Sequence, residues 1–231
     1  MIIPFRTGVP PQLALGRRRT DTMTQMQIEH TPWVGPLYER EGIEAQRVAV
    51  VAFSHFDGPE EDCNGFTEQT IQGVIGGATQ HRFFAAIRNY FGYIDTPAFW
   101  ERIIFFNCLP SLVGGPEQRH GRGTPQQLAR VGPRFLEILS LYKPHKAIVF
   151  TAKGWDWVPG FDALVPTFGG PELERVFRNP PAGAYQLEGH QVLVFGLRHP
   201  ERAPGDEMRR AVERIMRFRS ADFTLKPQPS A

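Results

Sequence analysis

The sequence predicts an α/β sandwich, three layers deep with a mostly parallel central sheet, on three observations. Apolar runs of strand length, RVAVVAF over 47–53, RIIFFN over 102–107 and KAIVFT over 146–151, lack the polar alternation of half-exposed strands. Such runs belong to strands covered on both faces. Segments with helical periodicity separate them, which is the alternation of a βα architecture. Finally, 23 glycines and 21 prolines punctuate the chain, so its chemistry is expected on loops.

The elements follow in order. Residues 1–30 lack apolar periodicity and read as a disordered or irregular extension; Met23 and Met26 are alternative starts, and a basic arm is the other reading. Pro32 to Gly35 open a loop, and 47–53 is the first buried strand. A polar loop runs from Ser54 to Phe66. Thr67 is the expected N-cap of a helix ending near Ile75, and a second helix covers 81–91. A short helix over 97–101 leads into the strand 102–107. Beyond a long polar loop, Thr124 and Pro125 occupy the N-cap and first-turn positions of a helix. Leu128, Val131, Phe135, Ile138 and Tyr142 form its apolar stripe. After the strand 146–151, an irregular stretch holds a short helix over 172–177. Residues 185–187 and 191–195 then read as a hairpin or as two successive strands. The last helix spans 206–219, with Met208, Ala211, Val212 and Ile215 inward. No repeat or linker divides the chain, so a single domain is expected over 31–221, with a tail over 222–231.

Composition narrows the function classes. Lys and Arg number 26 against 24 acidic residues, and the surplus of +2 is local. Arg6, Arg17, Arg18 and Arg19 outnumber Asp21 and Glu29 in the first thirty residues, leaving the body neutral. Coating of nucleic acid or membrane by bulk charge is excluded, and any nucleic-acid contact must be locally placed. Cys63 and Cys108 form no CxxC pair, which excludes a disulfide scaffold, a cysteine-built zinc site and an iron–sulfur cluster. No metal and no cofactor are expected. No run approaches the ~20 apolar residues of a membrane span, and no leader pattern is present. A cytoplasmic monomer is the expectation.

In a parallel sheet, ligands gather outside the carboxyl ends of the strands. Three such exits carry polar groups: Ser54-His55-Phe56-Asp57 after the first strand, Asn107 at the second, and Arg198-His199-Pro200 after the last. Each alone reads as turn chemistry or a loop anchor. Together on one edge they read as a site. No GxSxG elbow supports Ser54-His55 as an acyl-transfer pair, and no GxGxxG or P-loop follows the first strand.

The order of these pieces resembles the uracil-DNA glycosylase superfamily over most of residues 47–219. VVAFSHFDGP, then Asn64-Gly65-Phe66-Thr67, is similar to the family's apolar strand, GQDPYHGP and Phe-containing segment. IIFFNCLPSLVGG is similar to its LLLNTVLTV motif, with Asn107 on the motif Asn, and His199-Pro200 stands where the family has HPSP. Ser54 takes the place of the family's catalytic Asp, and Asp57 that of the closing His. AFSHF is closer to a divergent branch with a Ser-His-aromatic motif.

The resemblance implies a DNA partner and a flipped-out base, because the glycosidic carbon is shielded in the stack. It implies Phe66 as the stacking aromatic and Phe56 as the pocket wall. Asn107 would read a base edge with its amide, and His199 would donate to the departing base. Ser54 can at most orient water, so Asp57 is the nearest replacement carboxylate, with Glu60, Glu61 and Asp62 also close in sequence. Arg119, Arg122, Arg198 and Arg202 are the candidate phosphate contacts. The expected activity is excision of a damaged or modified base rather than plain uracil, in repair or defence against modified foreign DNA. The alternative is a catalytically silent binder of bases or single strands.

Overall fold

A computed structural model describes residues 28–55, 61–113, 121, 123–151, 154–164, 177–219 and 224–225. Among these, eight strands form one sheet: β1 (Trp33–Val34), β2 (Val48–Ala52), β3 (Ile103–Asn107), β4 (Lys146–Val149), β5 (Ala163–Leu164), β6 (Phe177–Leu187), β7 (His190–Leu197) and β8 (Thr224–Leu225). Their spatial order is β1-β3-β2-β4-β7-β6-β5-β8. The helices are α1 (Phe66–Ile75), α2 (Arg82–Tyr90), α3 (Thr96–Trp100), α4 (Pro125–Tyr142) and α5 (Gly205–Arg217).

The three apolar runs form adjacent parallel strands. β3, β2, β4 and β7 pair in parallel, and every residue of β2, β3 and β4 is buried. The period of two in a strand sorts their side chains onto opposite faces. Val48, Val50, Phe105 and Ile148 pack with Ile71 of α1, Phe84 of α2, Trp100 of α3 and Val212 of α5. Ala49, Val51, Ile104, Phe106 and Val149 pack with Val131, Phe135 and Leu139 of α4. Helices thus cover both faces, as continuous apolar strands require.

The sheet is mixed, not mostly parallel. β1 runs antiparallel to β3, and β7, β6, β5 and β8 form an antiparallel edge. Trp33 and Val34, expected in a loop, extend the sheet instead, and Trp33 Nε1 donates to Trp100 O at 2.8 Å. β6 and β7 form a hairpin through Glu188 and Gly189, where Gly189 supplies the positive φ of a two-residue turn. Phe177, the expected end of a short helix, begins β6, while residues 172–176 lie outside the described residues.

Helix signals were well placed where capping was local. Thr124 accepts from Gln127 N while its own N–H donates to Gln127 Oε1, a complete capping box, and Pro125 follows at the first turn. Thr67 does not cap α1; Gly65 holds that position without a side-chain cap. The Thr67 hydroxyl is turned inward to His55. α2 is capped by His81, whose Nδ1 accepts from Phe83 N at 3.2 Å.

Candidate functional site

Parallel pairing sets the strand exits at one edge. Ala52 is in register with Asn107, Val51 with Val149, and Val149 with Gly196. Ser54-His55, Asn107-Cys108, Thr151 and Arg198-His199 therefore all leave the sheet on the same side. β4 separates β2 from β7, so His199 stands about 10 Å across the edge from the β2 exit, at about 4.8 Å per strand.

Asn107 is 1% exposed, and neither Oδ1 nor Nδ2 has a partner among the described residues. The Ser54 hydroxyl, buried at the neighbouring exit, is in the same condition. Most buried polar groups in proteins are paired, and an unpaired one costs about 1–3 kcal/mol. An amide that offers both donor and acceptor at a strand exit is therefore suited to a ligand carrying the complementary pair.

Phe66, at the start of α1, is buried and not an open platform. His30 stacks nearly parallel to it, with centroids 5.4 Å apart and planes at 16°, and His55 lies 5.1 Å away on a tilt. His55 shares a hydrogen bond of 3.0 Å with Thr67 Oγ1 through Nε2. Burial, with smaller contributions from His30 and Arg134, depresses its pKa to about 3. His55 is therefore a neutral ring of the core.

His30 Nε2 donates to Asp62 Oδ1 at 2.6 Å, and Asp62 Oδ2 accepts from Leu112 N at 3.2 Å. Burial lowers the His30 pKa below its ordinary value, against the opposing pull of Asp62. Beneath this pair lies Arg134 of α4, 1% exposed. Its Nη1 donates to Asn107 O and its Nη2 to His30 O, both at 2.5 Å. The guanidinium rests 5.8 Å from the Phe106 ring and pairs with Glu29 at 3.1 Å. One buried cation thus ties the segment at residues 29–30 to the β3 exit. Cys108 is sealed in beside it, and burial pushes its thiol up to about 12, too high for a thiolate nucleophile.

Sequence reasoning missed both Arg134 and His30. Arg134 had a signal: it stands three residues after Val131 and four before Ile138, on the buried stripe of α4. His30 had none, lying in a segment without periodicity, 32 positions from its carboxylate partner.

His199 sits 5.1 Å from the Phe83 ring and accepts through Nδ1 from Glu201 N at 3.4 Å. The same Nδ1 lies 3.8 Å from Glu201 Oε2. Arg198 is exposed. Phe56, Asp57, Arg119 and Arg122, and the side chain of Arg202, lie outside the described residues. After β4, a 3-10 turn over Trp155–Trp157 buries Trp155 against β7. A Cβ at Gly196 would come within 2.7 Å of the Trp155 ring, and one at Gly154 within 2.9 Å of Cys108 Sγ. Trp155 therefore walls this corner of the edge.

A separate cleft of about 310 Å³ opens between α1, α2 and α3, lined in part by Thr79, His81, Phe84, Arg88 and Trp100. Ser54, Asn107 and His199 take no part in it. No group of three His, Cys, Asp or Glu among the described residues is placed to hold a metal ion. No helix there is long and apolar enough to cross a membrane.

No protein-family model matches the chain, and no curated protein sequence matches it.

Proposed function

We propose that the carboxyl-end edge of the sheet binds a flipped-out nucleobase and hydrolyses its N-glycosidic bond, on a three-layer fold like that of the uracil-DNA glycosylase superfamily. The observation that carries this reading is Asn107. Its amide is buried, unpartnered among the described residues, and mounted on a rigid strand end. A carbonyl and adjacent N–H on a base edge match it atom for atom. His199 at the β7 exit is assigned from sequence as the donor for charge that develops on the departing base. Exposed Arg198 is available to a phosphate, and Arg119, Arg122 and Arg202 are assigned to the same task from sequence.

Ser54 at the β2 exit favours a second reading. Its hydroxyl is neutral and offers no anion to a sugar cation, as a base binder without hydrolysis would allow. One experiment separates the two. Duplex and single-stranded oligonucleotides carrying uracil, hypoxanthine or bulky modified pyrimidines are incubated with the full chain and cleaved with alkali. Breaks at the modified base are expected. Binding without breaks supports the silent binder, and neither binding nor breaks overturns both readings.

A further inference from the structure

We propose that Asp62 and His30 act as a proton-accepting pair for the attacking water, which assigns a catalytic role to the segment preceding β1. The inference rests on the glycosidic hydrolysis proposed above. It answers the chemical difficulty left by Ser54, whose hydroxyl cannot take up a proton at neutral pH.

The geometry is that of an oriented imidazole. Asp62 is fixed at both oxygens, by His30 Nε2 at 2.6 Å and by Leu112 N at 3.2 Å. A carboxylate held this way keeps the imidazole proton on Nε2 and leaves a lone pair on Nδ1. His30 Nδ1 is buried and has no donor among the described residues. Ser54 Oγ and both polar atoms of Asn107 share that condition on the same edge. A buried imidazole nitrogen without a donor points to a ligand proton, as the Asn107 amide points to a base.

The ring is also held still. Its peptide N–H donates to Pro110 O at 2.6 Å, and Thr31 N donates to Asn64 O at 2.8 Å. Phe66 covers one face, and His55 stands 5.5 Å away. Because Arg134 donates to the carbonyls of both His30 and Asn107, the proton acceptor and the base-reading amide are referenced to one guanidinium. So many anchors argue for a permanent wall of the site, not a plug that must leave before a base enters.

In the reaction, the water oxygen bonds to the sugar C1′ as the C1′–N bond breaks, its electron pair leaving with the base. The water proton passes to His30 Nδ1, and Asp62 stabilises the imidazolium. That proton then returns to the base anion, so one water is consumed and a free base and an abasic sugar are released. The ionisable groups facing His30 are Asp62, Arg134 and His55. Of these, Asp62 alone favours the protonated ring.

The test uses the full chain and whichever modified oligonucleotide the wild type cleaves. His30→Gln and Asp62→Asn should each lower single-turnover cleavage by about 100-fold or more. Both should bind a 2′-fluorinated, cleavage-resistant version within about threefold of wild type. His30→Gln should also lose the acid limb of the pH–rate profile. Imidazole nitrogen NMR of the wild type should show a neutral His30 with its proton on Nε2. Wild-type cleavage by folded His30→Gln overturns the pair and leaves the glycosylase reading standing. So does a proton found on Nδ1, even if the variants fail to fold. Parallel loss of binding and rate overturns it in favour of a structural role. Absence of cleavage by the wild type on every base overturns both.

Discussion

Acid should destabilise this protein through His55, by an amount that follows from its burial. The ring is 8% exposed, stands 5.5 Å from His30, and has its pKa depressed to about 3. In the unfolded chain the same group titrates near 6.5. Between those values the unfolded chain binds a proton that the folded chain rejects, so stability rises with pH across the window and is complete above about 6.5. Lowering the pH from 7 to 5 should therefore cost about 2 kcal/mol from this residue alone. The assay is urea unfolding followed by tryptophan fluorescence at both pH values, for the wild type and for His55→Phe. The variant loses the Thr67 hydrogen bond and starts from a lower baseline, so the informative quantity is the change between the two pH values. Carboxylates titrating in the same range contribute to both proteins and cancel in the difference. Expected is a wild-type loss larger than that of His55→Phe by about 2 kcal/mol; agreement within about 0.5 kcal/mol would refute the buried neutral imidazole.

Other perturbations separate the site from its scaffold. Asn107→Ala removes two polar atoms without partners among the described residues, so thermal melting should show stability unchanged or raised by up to about 1 kcal/mol while base excision is lost. A clear drop in melting temperature would mean that the amide is satisfied within the protein. Arg134→Met strands the carbonyls of His30 and Asn107, while Glu29 keeps Arg130, and denaturant titration should register a loss of about 3 kcal/mol. His199→Ala should slow excision by about 100-fold with little change in melting, as suits a half-exposed donor at a strand exit. With few phosphate contacts, affinity for undamaged DNA should be weak and its log–log salt slope shallow, and Arg198→Ala should flatten that slope further by about one unit.

Much of the framework was legible in the sequence because its causes are local. Continuous apolar runs specified β2, β3 and β4 as strands buried on both faces, and the Thr124-Pro125 signal placed the start of α4. Asn107 could be singled out because a polar residue ending an apolar strand announces its own position. Thr67 shows where local reasoning stops. Its sequence context suits an N-cap, yet a tertiary partner, His55, claims its hydroxyl and the helix begins without a side-chain cap. Of the antiparallel edge, only the hairpin at 185–195 was open to reading, as one of two alternatives; the pairing of β5 with β6 and β8 was not, since pairing direction depends on which strands meet.

Charge followed the same division. The near-neutral total excluded bulk attraction to DNA, and that conclusion needed only counting. Where the buried cation lies, and what it holds, needed the fold. Arg134 binds carbonyls 104 and 27 positions away, and Asp62 reaches His30 across 32. Backbone propensity and hydrophobic period act over a few residues, so the sequence alone determined the elements and the faces they bury. Partners of a buried polar group are chosen by what packing brings within about 3 Å, and the tertiary structure alone decided that His30, Asp62, Arg134 and Asn107 converge on one edge.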